Sequence, residues 1–254
     1  MTAFVGIDLA WGTRNPSGIC VLDEPCCRVD CAVQSAAEIA RLVNALGADV
    51  VVGIDAPLII EDGRSAEAVL ARRMGRYGVY AHSSAAALRA GYDQGIRLAY
   101  ELAGLGFSLD PRLEPRASGR FALEVYPHAG HVVMFGLDRI MPYKHKSGRT
   151  AAACNAELAR YRNLLSRWIQ REAPDLHADG AVSSLLAKGT LTGRARKRHE
   201  DELDALTCAL MAMMVWREGI GPEDVLGDDR GYIAVPGLAR DRRFSEGATA
   251  NAIH

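Results

Sequence analysis

Asp49-Val50-Val51-Val52-Gly53-Ile54-Asp55 is an unbroken apolar run closed by an acid. Such a run belongs to a central strand buried on both faces of a sheet. Pro57 ends it, because proline has no N–H to give to the ladder. Toward the N-terminus, Ser35 with Glu38 three residues on has the form of a capping box. The helix it opens is expected to run to about Leu46 and to stop at Gly47. Before it, Ala3 to Leu9 and Ile19 to Leu22 read as strands joined by a Gly12 to Gly18 turn into an antiparallel hairpin, and Arg28 to Val33 reads as a third strand.

Toward the C-terminus, Ala66 to Arg73 and Ser84 to Leu105 read as Ala-rich helices of an insertion. Phe121 to Tyr126 is another strand, stopped by Pro127. A long helix over 150–171 carries Leu158, Tyr161, Leu165 and Trp168 on one stripe, and a short helix lies around Val182 to Ala187. The last strong helix is about His199 to Arg217, and Ile233 to Val235 adds a strand. Three strands, a helix, a strand, an insertion, another strand and an acid-bearing helix form the order expected of a ribonuclease H-like α/β fold: a mixed five-stranded sheet with flanking helices and a helical insertion. The expected organisation is one domain over 1–237, with helical insertions at about 62–110 and 137–193, and a mobile polar tail over 238–254.

At 254 residues and 49% hydrophobic content, the chain can bury a full core. A formal net charge of -1 excludes a surface coated in positive charge, so any contact with nucleic acid has to be local. The six cysteines form no C-x-x-C pair, and they read as free thiols of a reducing, cytoplasmic setting rather than a zinc site. Asp8 interrupts the first apolar run with no basic segment before it, so no secretory signal is expected. No stretch reaches the roughly 18 apolar residues of a membrane span.

Acids end or interrupt the apolar segments, where a carboxylate costs several kcal/mol unless paired or bound to a metal. If the strands of Asp8 and Asp55 are parallel neighbours, both carboxylates lie at carboxyl-terminal strand ends about 4.8 Å apart. Asp201 and Asp204, spaced i, i+3, share one helix face that Ala205, Cys208 and Ala212 continue with small side chains. Oxygen-only ligands select Mg²⁺ or Mn²⁺, and two such ions about 3.5–4 Å apart suit phosphodiester hydrolysis. Asp8, Asp55 and Asp204 are the candidate metal ligands, with Asp201 and Glu124 completing the catalytic set and His128 as a possible auxiliary. Each acid alone has a simpler reading: a turn cap for Asp8, a turn acid for Asp55, an arginine partner such as Arg120 or Arg116 for Glu124, and the helix dipole for Asp201 and Asp204. Arg194, Arg196, Lys197 and Arg198, just before the acidic helix, and Lys144 are candidate contacts to a nucleic-acid backbone. A solvated loop is the ordinary fate of such a basic run.

Gly-Ile-Asp-Leu-Ala-Trp (6–11), Gly-Ile-Asp-Ala-Pro-Leu (53–58), Glu-Val-Tyr-Pro-His (124–128), Tyr143-Lys144 and Glu-Asp-Glu-Leu-Asp-Ala-Leu (200–206) occur in this order between residue 4 and about 236. Together they resemble an uncharacterised family of predicted RNase H-like nucleases, domain of unknown function four-two-nine. The Asp-x-x-Asp-Ala-Leu segment is also similar to that of RuvC-type Holliday-junction resolvases and their YqgF relatives. The resemblance implies Asp8, Asp55, Asp201 and Asp204 as metal-binding acids; Glu124 has no counterpart in the resolvase pattern. The expected function is a metal-dependent nuclease acting on DNA or RNA by a two-metal-ion mechanism. Two alternatives stand beside it: an actin/hexokinase-like nucleotide-binding phosphotransferase, for which Gly12-Thr13 would be a first phosphate loop, and a non-catalytic nucleic-acid-binding protein of the same fold.

Overall fold

Val50, Val52 and Ile54 point to one face of their strand while Val51, Gly53 and Asp55 point to the other, and the chain covers both. The computed structural model describes residues 2–12, 15–23, 26–32 and 34–245. Its main sheet holds β1 (Ala3–Asp8), β2 (Ser17–Asp23), β3 (Cys26–Ala32), β4 (Val50–Ile54) and β5 (Arg120–Glu124), in the order β3-β2-β1-β4-β5. The pairs β1–β2 and β2–β3 are antiparallel, and β1–β4 and β4–β5 are parallel. This is the ribonuclease H-like arrangement that the strand order implied. On one face, Val5, Ile7, Val50, Val52 and Ile54 pack with Ile39 and Val43 of α1 (Ala36–Asn44). Leu98 and Leu102 of α4 (Gln94–Gly104) complete that layer. The capping box that opens α1 forms in both directions, with Ser35 N donating to Glu38 Oε2 at 2.7 Å and Glu38 N to Ser35 Oγ at 3.3 Å.

The other face is covered by α9 (Gly193–Glu218), which lies directly on the strands. Its approach depends on three glycines. A Cβ on Gly6 would stand 1.8 Å from the Ala205 carbonyl oxygen, on Gly18 2.3 Å from that of Asp201, and on Gly53 2.4 Å from that of Cys208. The small side chains on the helix matter less than the missing ones on the sheet.

Between β4 and β5 the chain forms α2 (Ala66–Met74), α3 (Ser84–Arg89) and α4. The single helix expected over Ser84 to Leu105 is broken, because Gly91 takes a left-handed φ of 84° between α3 and α4. After β5 come α5 (Pro127–Met134), α6 (Ala151–Glu172), α7 (Pro174–His177) and α8 (Gly180–Leu186). The expected strand at Ile233 is half of a separate hairpin, β6 (Val225–Asp228) with β7 (Gly231–Ala234). The segment expected to be mobile from residue 238 is packed as far as Phe244. Leu238 is buried, and Phe244 of α10 (Arg242–Ser245) sits against Tyr77 with ring centroids 4.9 Å apart. The remainder of that tail, Thr13 of the candidate phosphate loop and Val33 at the expected end of β3 lie outside the described residues. Among the described residues no helix is long and apolar enough to cross a membrane.

Candidate functional site

The parallel strands end in step. Asp55 N donates to the Ile7 carbonyl at 2.8 Å and Val125 N to the Ile54 carbonyl at 2.9 Å. Alternation along β1 and β4 puts Asp8 on the face of Gly6 and Asp55 on the face of Gly53, both toward α9. The contact of α9 at Gly18, the β2 residue paired with Asp8, brings Asp201 over the same spot. The carboxyls of Asp8 and Asp201 come within hydrogen-bonding reach of one another. Asp204, one turn on, is fully buried. Tyr143 Oη donates to its Oδ1 at 2.6 Å, Tyr161 Oη lies 3.3 Å from the same oxygen, and Lys144 Nζ stands 2.7 Å from Oδ2.

These four acids feel one another. Burial lifts Asp8 well above the ordinary carboxyl range; Lys144 pulls it back, and Asp204, Asp55 and Asp201 push it further up. Burial likewise carries Asp55 up to about 7 against Lys144, with Asp204 adding to the rise. Asp201 is raised by burial and opposed by its pair with Lys197. Burial also works against the Asp204 charge, but the ammonium of Lys144 in contact overrides it and holds this carboxyl below the ordinary range. Fully ionised, the four carboxylates would outweigh Lys144 and Lys197, and the raised Asp8, Asp55 and Asp201 carboxyls express that imbalance.

The donors fit a hard divalent cation in kind, since all are carboxylate oxygens, and in charge, since a cation would let the raised carboxyls ionise. Asp8, Asp55 and Asp204 are the residues that would hold it. They are not spaced as a finished ligand shell: among the described residues no three acids, histidines or cysteines form one. The ammonium of Lys144 stands on Asp204. Lys144, expected as a phosphate contact, is therefore an internal counter-ion of the acid cluster.

The basic run expected in a loop forms the first turns of α9 instead. Cations in a first turn oppose the helix dipole. Three i, i+4 ion pairs and a buried anchor outweigh that cost: Arg196 with Glu200, Lys197 with Asp201 and Arg198 with Glu202. Arg196 also donates to the Tyr143 carbonyl at 2.5 Å and to Asn155 Oδ1 at 2.9 Å, and Arg198 meets Asp30 at 2.7 Å. Of the candidate phosphate contacts in that run, Arg196, Lys197 and Arg198 are already engaged by carboxylates, and Arg194 is exposed.

Glu124 takes a different place from the other acids. Leu123 and Val125 face α9, so the strand's two-residue period turns Glu124 to the opposite face. Its partner is Arg64, not Arg120 or Arg116. Arg64 Nη2 donates to Oε1 at 2.5 Å and Nη1 to Oε2 at 3.0 Å, while Leu58 N donates to Oε2 at 3.1 Å. Arg64 Nη1 also donates to the Ile59 carbonyl at 2.5 Å, so the pair ties down the segment that follows Asp55. Burial pushes the Glu124 carboxyl up to about 7 against the pull of Arg64. Glu124→Ala leaves the Arg64 guanidinium, 3% exposed, without its main counter-charge. The expected cost is about 3–5 kcal/mol in urea unfolding; a loss below about 1 kcal/mol would show that the pair does not brace this segment.

Tyr143 entered the sequence reading only within the Tyr143-Lys144 motif, with no role given to it, and His131 and Arg64 did not enter it. Tyr161 read as part of an apolar stripe; the signal was its hydroxyl, which a buried tyrosine has to satisfy. It donates to the Leu203 carbonyl at 3.0 Å and meets Thr207 Oγ1 at 2.5 Å. His131, its ring tilted against Tyr161 with centroids 4.2 Å apart, is driven by burial down to about 3, and His128 beside it to about 4, so both rings are neutral at pH 7.

A cleft of about 280 Å³ opens beside the acids, lined among others by Trp11, Asp55, Tyr92, Tyr126, His128 and Lys144. A family model described as "Protein of unknown function (DUF429)" matches residues 6–226. No curated protein and no solved structure matches the chain.

Proposed function

We propose, for a chain that belongs to the DUF429 family of unknown function, divalent-cation-dependent hydrolysis of phosphodiester bonds in nucleic acid. The observation that carries the reading is the mutual perturbation of Asp8, Asp55, Asp201 and Asp204 at one end of the parallel strands. A bound Mg²⁺ or Mn²⁺ would activate a water for attack at phosphorus and offset the charge on the leaving oxygen. The chain's own part is orientation. Tyr143 fixes Asp204, and the Arg64–Glu124 pair fixes the segment after Asp55. Asp55 lines the cleft and has no hydrogen-bond partner for its carboxylate among the described residues, which leaves it available to a ligand. Neutral His128 lines the same cleft and can accept a hydrogen bond there.

One observation favours a second reading, a nucleic-acid-binding protein without catalysis: Lys144 already neutralises part of the cluster. The two readings separate in one assay. Labelled single-stranded and duplex DNA and RNA are incubated with the purified chain in Mg²⁺, in Mn²⁺ and in EDTA. Hydrolysis predicts shortened products in the divalent cations and none in EDTA. Binding with no product from any of the four substrates would support the second reading and overturn the first.

A further inference from the structure

We infer that the strand bound in the cleft is single-stranded, with one unpaired base stacked on Trp11; this rests on the reading that nucleic acid is the substrate. Trp11 follows Asp8 by three residues at the carboxyl end of β1 and lines the cleft that holds Asp55 and Lys144. It is 46% exposed and Tyr92 beside it 47%, although both are large rings that water disfavours. Tyr92 lies 5.7 Å from the indole at 81° and His82 5.8 Å from it at 88°. Both neighbours stand edge-on, so they hold the indole in position, and among the described residues no ring stacks parallel to it.

The charges point the same way. A duplex binder draws its affinity from several phosphate contacts and the counter-ions they release. Here the basic face of α9 is engaged by Glu200, Asp201, Glu202 and Asp30. The cleft offers Lys144 and Lys146 against Asp55, Glu67 and Glu124. Arg64 already holds both glutamates. With the net charge at -1, stacking on aromatic rings is left as the main source of affinity, and that requires an unpaired base. The volume agrees: about 280 Å³ is at the small end of ligand pockets, room for roughly one nucleotide and not for a duplex.

Tryptophan emission reads the contact directly, because Trp168 is buried and Trp216 packs against Phe4. The chain is titrated in Ca²⁺ with a thymidine 20-mer and with a 20-base-pair duplex. The single strand is expected to quench emission and to bind at least tenfold tighter than the duplex. Trp11→Ala is expected to weaken single-strand binding by about tenfold or more and to remove most of the quench, and Trp11→Phe to restore most of the affinity. Equal affinity for the two oligonucleotides, no binding of either, or unchanged single-strand affinity in Trp11→Ala would each overturn the inference. Binding through Trp11 with no product from any substrate would sustain it while the hydrolysis reading fails. Metal-dependent cleavage with the same KM for single strands in Trp11→Ala would do the reverse.

Discussion

Asp8→Asn is expected to abolish metal-dependent cleavage while the metal-free chain, at pH 8, melts at a higher temperature than the wild type. Loss of an outer partner of a metal ligand already costs about 10–100-fold, so loss of a ligand carboxylate should exceed about 100-fold. The stability gain follows from the raised Asp8 carboxyl. Between the unfolded value and the raised folded one, the folded chain holds a proton that the unfolded chain has released. Stability therefore falls as pH climbs through that window. An amide, uncharged at every pH, removes that loss and can still donate a hydrogen bond to the neighbouring Asp201 carboxylate. A gain of about 2–4 °C corresponds to ~1 kcal/mol in a chain of this length. The gain should shrink as pH is lowered toward the unfolded carboxyl value, below which the raised Asp8 carboxyl no longer costs the wild type stability. Thermal melts of both proteins at pH 5 and pH 8 check it; a variant less stable at pH 8 would mean that Asp8 is not held among like charges.

Gly6→Ala is expected to leave no folded protein. The new methyl would stand 1.8 Å from the Ala205 carbonyl oxygen and 2.3 Å from the Ala209 nitrogen. Both atoms are backbone of a helix whose residues 199–213 are buried, so neither can rotate away. Relief requires lifting α9 from the sheet, which would uncover Leu203, Leu206 and Leu210 together. A cost above about 4–5 kcal/mol is a large part of a typical total stability of about 5–15 kcal/mol. Gly104→Ala is the control: it sits in α4 with nothing within 4 Å of the new methyl, and should be neutral or mildly stabilising. Circular dichroism and urea unfolding of the pair decide the matter; a Gly6→Ala chain as stable as wild type would remove the close approach of α9 that brings Asp201 and Asp204 to Asp8.

That close approach marks how far the sequence could be read. The apolar run of β4, the hairpin of β1 and β2 and the capping box of α1 are local patterns, and each formed as read. The two Gly-Ile-Asp repeats held more than was taken from them. A glycine two residues before an acid in a strand shares its face, so each repeat encodes both the bare patch for a helix and the carboxylate at its edge. The places of Lys144 and Glu124 were not legible. Their partners Asp204 and Arg64 are separated from them by 60 residues each, and only the folded sheet brings them together. The start of α9 was missed for a related reason: a run of cations reads locally as a solvated loop, and the acids that pair with it lie one turn on.

Crystals of the chain soaked in Mn²⁺, with anomalous scattering recorded, test the central claim most directly. The account predicts a manganese peak bonded to oxygens of Asp8, Asp55 and Asp204, with the Lys144 ammonium withdrawn from Asp204. A saturating soak that leaves Lys144 on Asp204 and places no metal between these three acids would contradict it.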